Sequence, residues 1–377
     1  MKIGITGQSG FIGTHLFNYF GLFNEVERIP FKDEYFDSKA NLENFVRHCD
    51  TIVHLAAMNR HDNPQVIYNT NIRLVKMLID ACEATESCPH ILFSSSTQEG
   101  NDNLYGKSKY DGRELLGEWA NRNSSIFTGL IIPNVFGPFG SPYHNSFIAT
   151  FCYQTTHDKI PKIKDDSKVK LIYVGELVKE IFQIIIDAKS NGNTKGLIKE
   201  HKVSYTSQIR VSEVLKLVIN FKEDYLKHGI LPNLNTEFEK NLFNTFICYI
   251  DHKKIFPFYL KKYSDNRGSF VEILKLNSGG QVSFSSTVSG ITRGNHYHTR
   301  KAERFSVIKG KARIELRKVG TQEIISFELD GDNPSFVDMP IWYTHNITNI
   351  GGEVLYTVFW ISEHYNPKDK DTYFEVV

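Results

Sequence analysis

Three histidines and one glutamate carry the first chemistry of this chain. His296 and His298 stand two residues apart in a run that continues to Glu303, and His345 follows in a second run. Residues at i and i+2 share one face of a β-strand. Glu303 is an odd number of residues from both histidines, so it is expected on the next strand of a hairpin, across from the pair. His345 is expected on a third strand. Three neutral imidazoles and a carboxylate converging inside a small barrel suit a first-row divalent metal. Zinc is the first expectation, although iron, manganese and nickel accept the same ligands. Gly290 and Gly310 fall where such hairpins must turn.

A second chemistry lies nearer the N-terminus. Thr6-Gly7-Gln8-Ser9-Gly10-Phe11-Ile12-Gly13 joins an apolar run to an amphipathic one. Glycines there let the backbone approach a pyrophosphate, and the start of the helix offers free N–H groups and a favourable dipole. Tyr105 and Lys109 are spaced i, i+4, on one helix face. A tyrosine ordinarily titrates near about pH 10. The neighbouring ammonium is expected to lower that value, so that Tyr105 exchanges protons near neutrality. Lys109 can also hold a nicotinamide ribose. Ser94, Ser95 and Ser96 end a strand close to the same point. Cofactor choice rests on the end of the second strand. There Arg28 and Lys32 favour the 2′-phosphate of NADPH, whereas Asp33 keeps NADH open.

The elements that must position these groups are legible in outline. Strands are expected at 2–6, 26–29, 51–55, 91–94 and 126–132. Helices are expected at 11–20, around Ile72–Cys82, and at 105–119. This alternation implies a parallel, doubly wound α/β sheet of Rossmann type. The stretch 135–250 is more mixed, with helices around 174–188 and 211–225. Beyond 258, β-branched and aromatic runs alternate with glycine turns, and no helix is evident. Two domains are therefore expected, 1–250 and 251–377.

With 377 residues, 41% of them hydrophobic, the chain is long enough for two real cores. A net charge of +1 implies neither nucleic acid nor membrane as a partner. Five scattered cysteines without C-x-x-C spacing argue against a disulfide framework. No signal-like or membrane-length apolar run is seen, so a cytoplasmic location is expected.

Residues 1–190 resemble an extended short-chain dehydrogenase/reductase. The matching motifs are T-G-x-x-G-F-I-G, His54-Leu55-Ala56-Ala57, the strand-end serines, Y-x-x-x-K and Pro133-Asn134-Val135-Phe136-Gly137. The resemblance implies that Ser96 binds a carbonyl, Tyr105 donates the proton and Lys109 supports it. It further implies that the glycine loop and His54, Leu55 and Ala56 line the cofactor, and that Asn134 contacts a sugar nucleotide. The C-terminal part resembles an all-β cupin, a jelly-roll barrel. The motif G-x5-H-x-H-x4-E-x6-G is complete, and the second motif carries Trp342 in place of its glycine. Residues 265–272 resemble the D-x-R-G-x-F-x-E segment of nucleotide-sugar 3,5-epimerases, which implies substrate contacts from Arg267, on phosphate, and Glu272. In those enzymes a histidine matching His296 is the base. Here ligation is favoured for His296, and the base stays open among Tyr297, Tyr343 and Lys301.

Over its whole length the chain resembles the CapF family of bifunctional capsular-polysaccharide enzymes. That implies a UDP-2-acetamido-2,6-dideoxy-4-hexulose substrate, epimerised at C3 by the cupin part. Reduction at C4 then yields UDP-N-acetyl-6-deoxytalosamine (UDP-N-acetyl-L-pneumosamine). A homodimer is the expected assembly. Three other readings compete: a 4,6-dehydratase, a single-step 4-ketoreductase with a sugar-binding or dimerising cupin, and a sugar sensor. Gln98 stands where dehydratases place their acid, which argues against the first.

Overall fold

The structure is a computed structural model and describes residues 1–190, 196–266, 268–277 and 279–377. The chain forms two compact units. The first comprises Met1–Phe147 and Ser167–Arg210, and the second Ile148–Asp166 and Val211–Val377. The expected boundary at 250–251 falls inside the second unit.

The first unit runs β1 (Lys2–Thr6), α1 (Phe11–Phe20), β2 (Glu27–Ile29), α2 (Lys39–Arg47), β3 (Thr51–His54), α3 (Pro64–Ala84), β4 (His90–Ser96), α4 (Leu104–Arg122), β5 (Phe127–Ile132) and β6 (Asn134–Phe136). After α5 (Phe147–Thr156), which lies in the second unit from Ile148 on, come β7 (Lys168–Tyr173), α6 (Val174–Ser190), β8 (Ile198–Lys202) and β9 (Ser207–Arg210). Six strands form one parallel sheet in the order β2-β1-β3-β4-β5-β8. Strands of this kind are buried on both faces, which explains their continuous apolar runs rather than alternation. Ile3, Ile5, Ile52, Val53, Ile91 and Leu92 are all buried. Helix α2 was not anticipated. It packs so close to β1 that a Cβ on Gly4 would lie 2.3 Å from the Phe45 ring. The chain order reverses between β1 and β3, so their carboxyl ends open a crevice at the topological switch point, where ligands of such sheets bind.

The second unit continues with α7 (Val211–Phe221), a π-helical turn (Lys222–Lys227), β10 (Ile230–Leu231), α8 (Glu237–Ile247) and α9 (His252–Ile255). There follow β11 (Phe258–Tyr259), β12 (Lys262–Asp265), β13 (Gly268–Val271), β14 (Lys275–Leu276), β15 (Gln281–Thr287), β16 (Thr292–Tyr297) and β17 (Glu303–Lys309). The last strands are β18 (Lys311–Lys318), β19 (Ile324–Asp330), β20 (Ser335–Met339), β21 (Tyr343–Asn349), β22 (Leu355–Ile361) and β23 (Tyr373–Phe374). Two five-stranded antiparallel sheets result, β11-β20-β17-β22-β15 and β19-β18-β21-β16-β23. Val307, Phe336, Val337, Met339 and Leu355 of the first share one core with Ala312, Ile314, Leu316, Phe327 and Ile347 of the second. No described residue after 255 is helical, as the sequence pattern suggested.

The helices of this unit are joined to the sheets by buried polar groups. Arg304 forks onto both oxygens of Asp338 at 2.7 and 2.8 Å and donates to the Gly229 carbonyl at 2.7 Å. Tyr225, on the π-helical turn, donates to the same carboxylate. Removing one partner of so buried a pair costs about 3–5 kcal/mol, because the remaining charge is left uncompensated.

Among the described residues, no helix is long and apolar enough to cross a membrane.

Candidate functional sites

At the switch crevice the glycines have separate physical tasks. Gly7 has φ +69°, and a Cβ there would lie 2.8 Å from the Ala56 amide nitrogen. A Cβ on Gly13 would lie 2.2 Å from the Gly7 carbonyl oxygen, so helix α1 could not close onto the loop. Gly10 precedes Phe11 and Ile12 without a side-chain cap, and the first turn holds no acidic residue. Its orphan N–H groups and dipole suit a diphosphate. The loop is fastened on both sides. Gln8 Oε1 accepts from the Phe31 amide at 3.1 Å, and the Leu55 amide donates to the Thr6 carbonyl at 3.2 Å.

Ser9 donates to Asp33 at 3.0 Å, which holds an acid against the glycine loop. Lys32 is exposed beside it. Arg28 is committed elsewhere: it stacks on the Phe17 ring at 4.4 Å and donates to the Phe17 carbonyl. Of the two bases read from the sequence, only Lys32 stands beside Asp33. His54 is enclosed, with Nδ1 2.6 Å from Thr6 Oγ1 and its ring stacked on Phe93. Burial drops its pKa to about 3, so it stays neutral.

Helix α4 begins at the end of β4. Asn103 caps it by accepting from the Gly106 amide at 2.7 Å. A Cβ on Gly106 would lie 2.1 Å from the Gln98 carbonyl oxygen. This close approach sets Tyr105 against Ser96, whose hydrogen bond draws the phenol's pKa down. Burial outweighs that effect, and the Tyr105 pKa is raised. The expected lowering by Lys109 is therefore corrected. The Lys109 ammonium donates to the Ser94 carbonyl at 2.9 Å and lies 5.8 Å from the Tyr105 ring centroid. Burial brings Lys109 itself down to about 8.

A link that sequence reading missed runs from Asn71. Its amide accepts from the Met58 N–H at 2.7 Å and donates to Ser108 Oγ at 2.9 Å, and Ser108 in turn donates to the Tyr105 carbonyl. Asn71 faces inward from an otherwise apolar stripe of α3, and that polar exception was its only sequence signal. Asn134 opens β6 and is exposed.

In the second unit, His296, His298, Glu303 and His345 each present one ligand atom, and these four atoms lie within 4.8 Å of one another. His296 and His345 are register partners across β16 and β21. A bulge at Asn295, which has φ +57°, shifts the register there. Glu303 differs from expectation. It opens β17, which belongs to the other sheet, so it reaches the histidines across the sandwich and not along a hairpin. The five residues between Tyr297 and Glu303 carry the chain from one sheet to the other. Period-2 spacing specifies a face but not which sheet a strand joins.

The hydrogen bonds settle the tautomers of two rings. His345 Nδ1 lies 3.1 Å from the Tyr343 carbonyl, and His298 Nδ1 bonds the Asp371 carbonyl. A carbonyl only accepts, so each Nδ1 carries hydrogen. In the neutral rings, Nε2 then turns a lone pair toward Glu303 Oε2, at 2.9 Å for His345 and 3.3 Å for His298. All three of these buried atoms lack an aligned hydrogen-bond partner. Acceptors facing acceptors in a dry site require a cation between them or extra protons. With the extra protons on Nε2, His298 and His345 would donate to Glu303 and hold its carboxyl well below the usual range, against the raising effect of burial. The donor set fits a divalent cation such as zinc.

Trp342 stands at φ +60°, in the left-handed region that the motif's glycine would occupy freely. Its N–H donates to the His298 carbonyl at 2.7 Å, and its ring stacks on Tyr297 at 5.5 Å. The turn survives the substitution. Among the candidate bases, Tyr297 is sandwiched between Trp342 and Tyr373, and Lys301 donates to the Lys370 carbonyl at 2.7 Å. Tyr343 is half-buried against His252, and desolvation raises its pKa. Glu272 is exposed and pairs with Lys275 at 2.8 Å. Arg267 lies outside the described residues.

Comparisons with known proteins bear on the family. Residues 3–196 match the NAD dependent epimerase/dehydratase family, and residues 263–373 match the polysaccharide biosynthesis C-terminal domain. A Pseudomonas aeruginosa protein, UDP-2-acetamido-2,6-beta-L-arabino-hexul-4-ose reductase, is 31% identical over 99% of this chain and 98% of its own length. The crystal structure of the capsular polysaccharide assembling protein CapF from Staphylococcus aureus is 34% identical, covers both chains fully and superposes with a TM-score of 0.63. The Bacillus subtilis spore coat polysaccharide biosynthesis protein SpsL is 27% identical over 30% of this chain and 81% of its own. By its dinucleotide-binding half and by full-length similarity, the chain belongs to the NAD dependent epimerase/dehydratase family and, within it, to the CapF family.

Proposed function

We propose that this chain is a bifunctional nucleotide-sugar enzyme of capsular or surface polysaccharide synthesis. Its β-rich unit, read as a cupin, epimerises C3 of UDP-2-acetamido-2,6-dideoxy-4-hexulose. Its first unit then reduces the C4 ketone with NADPH, giving UDP-N-acetyl-6-deoxytalosamine. The observation that carries this reading is the presence, on one chain, of a Ser96–Tyr105–Lys109 site at a dinucleotide crevice and a separate four-ligand cluster. The order follows from chemistry: the C3 proton is acidic only while C4 is a ketone.

In the reduction, NADPH supplies a hydride to C4. Ser96 holds the ketone oxygen, and Tyr105 gives its proton to that oxygen as charge develops there. Lys109, charged below about pH 8, stabilises the phenolate that results. Lys32 is assigned to the 2′-phosphate, and Asn134, Arg267 and Glu272 to the UDP-sugar. In the epimerisation a base removes the C3 proton and the proton returns on the other face. His296, His298, Glu303 and His345 would hold a divalent cation, and zinc suits this donor set. The cation would supply a fixed positive charge inside the sandwich.

Glu99 argues further against a dehydratase. Its carboxylate is forked by Arg113 at 3.0 and 3.1 Å and accepts from Ser95, so both its oxygens are committed to protein partners. A second reading is a single-step 4-ketoreductase, favoured by the Pseudomonas relative, whose name specifies reduction alone. Incubation with the 4-keto sugar in D2O, without nicotinamide, separates the two. Deuterium at C3 is expected, and a C3 that stays protiated would leave only the reductase.

A further inference from the structure

The connection that carries the chain between the two sheets, from His298 to Ala302, makes several of its hydrogen bonds to one residue far along the chain. Asp371 is 4% exposed. Its carboxylate accepts from the Thr299 amide at 3.1 Å, Thr299 Oγ1 at 2.6 Å, the Arg300 amide at 3.0 Å and the Lys301 amide at 3.3 Å. Its own carbonyl accepts from His298 Nδ1. Asp371 also has φ +42°, a backbone conformation that costs a non-glycine residue free energy and persists only where surroundings impose it. One side chain thus fixes the three residues after His298, while the same residue's backbone fixes the His298 ring.

We infer that Asp371 is the positioning residue of the four-ligand cluster. By ordering the connection it sets the distance between His298 and Glu303 on opposite sheets. By accepting from Nδ1 it commits Nε2 of His298 to the cluster. This inference rests on the reading of that cluster as a cation site. Outer-shell partners of ligating histidines typically contribute 10–100-fold in metal affinity.

The test uses the full chain, cobalt(II) as the probe, and two readouts: affinity by chelator competition and the visible d–d spectrum. Asp371→Ala is expected to bind cobalt about 10–100-fold more weakly, with an altered spectrum. Asp371→Asn keeps an oxygen acceptor and should fall between the wild type and Asp371→Ala. Thr299→Val removes one contact and should weaken binding a few-fold at most. Unchanged affinity and spectrum in Asp371→Ala would overturn the inference while leaving the cation site standing. A wild-type chain that takes up no cobalt would overturn both. Should Asp371→Ala fail to fold, wild-type behaviour in both Asp371→Asn and Thr299→Val would overturn it equally.

Discussion

Glu303 Oε2 lies 2.9 Å from His345 Nε2, although the two residues belong to different sheets. A cation held there fastens the sandwich from inside. His298→Ala and His345→Ala should therefore lose the metal and lower the thermal midpoint of the β-rich unit, because binding is linked to folding. A ligand at 100 times its Kd adds about 2.7 kcal/mol to stability. Elemental analysis and melting with and without EDTA check this. Full metal occupancy in both variants would remove the assignment.

Tyr105→Phe should lower NADPH oxidation by about 10²–10⁴-fold, the usual worth of a positioned acid. Exchange at C3 should persist, since the proposed epimerisation site lies in the other unit. Both are measurable on one preparation by absorbance and NMR. Near-normal reduction would take Tyr105 out of its role.

Lys32→Ala should weaken NADPH far more than NADH, because the proposed contact is the 2′-phosphate. Asp33, held by Ser9 at the glycine loop, should keep NADH binding in place. Cofactor titrations decide, and equal losses for the two cofactors would count against NADPH.

Acid should destabilise the first unit. Burial depresses His54 to about 3 and His90 to about 4, from an ordinary 6.5. Between these values the unfolded chain binds more protons than the folded one. The stabilisation is present above about pH 6.5 and falls with pH by about 1.4 kcal/mol per unit and group. His90→Gln should flatten this slope in denaturant titrations at several pH values. A slope unchanged from wild type would contradict the assignment.

Gly294→Ala should disturb the cluster from the backbone. Gly294 has φ +101°, and a Cβ would lie 2.8 Å from the His345 carbonyl oxygen. A loss of about 1–3 kcal/mol is expected, with weaker metal binding. A variant as stable and metal-rich as wild type would mean that the bulge does not set the His296–His345 register.

Local spacing carried much of this structure. The glycine loop, the Tyr105–Lys109 face and the i, i+2 histidines depend on neighbours in sequence, and most strand and helix limits came within a few residues, although α3 starts at Pro64, well before the stretch read around Ile72–Cys82. What failed depended on distant packing. Spacing could not tell that Glu303 leaves the sheet of His296. It could not tell that burial, more than Lys109, governs Tyr105. Asp371 was unreadable as a partner of His298, because a main-chain carbonyl about 70 residues away leaves no residue-type signature. Trp342 was readable as an exception, but only the structure shows it adopting the glycine conformation.

The chain enters the second unit at Ile148, leaves after Asp166 and returns at Val211. A fragment starting at 251 would strip Tyr225 from Asp338, the Gly229 carbonyl from Arg304, and Asn244 from the Arg300 carbonyl. Each unmade buried bond costs about 1–3 kcal/mol. The strands after 251 are thus not a self-sufficient cassette. A gene shuffled at that point would inherit a β sandwich with open polar wounds, so recombination is expected to keep residues 211–377 together as one heritable piece.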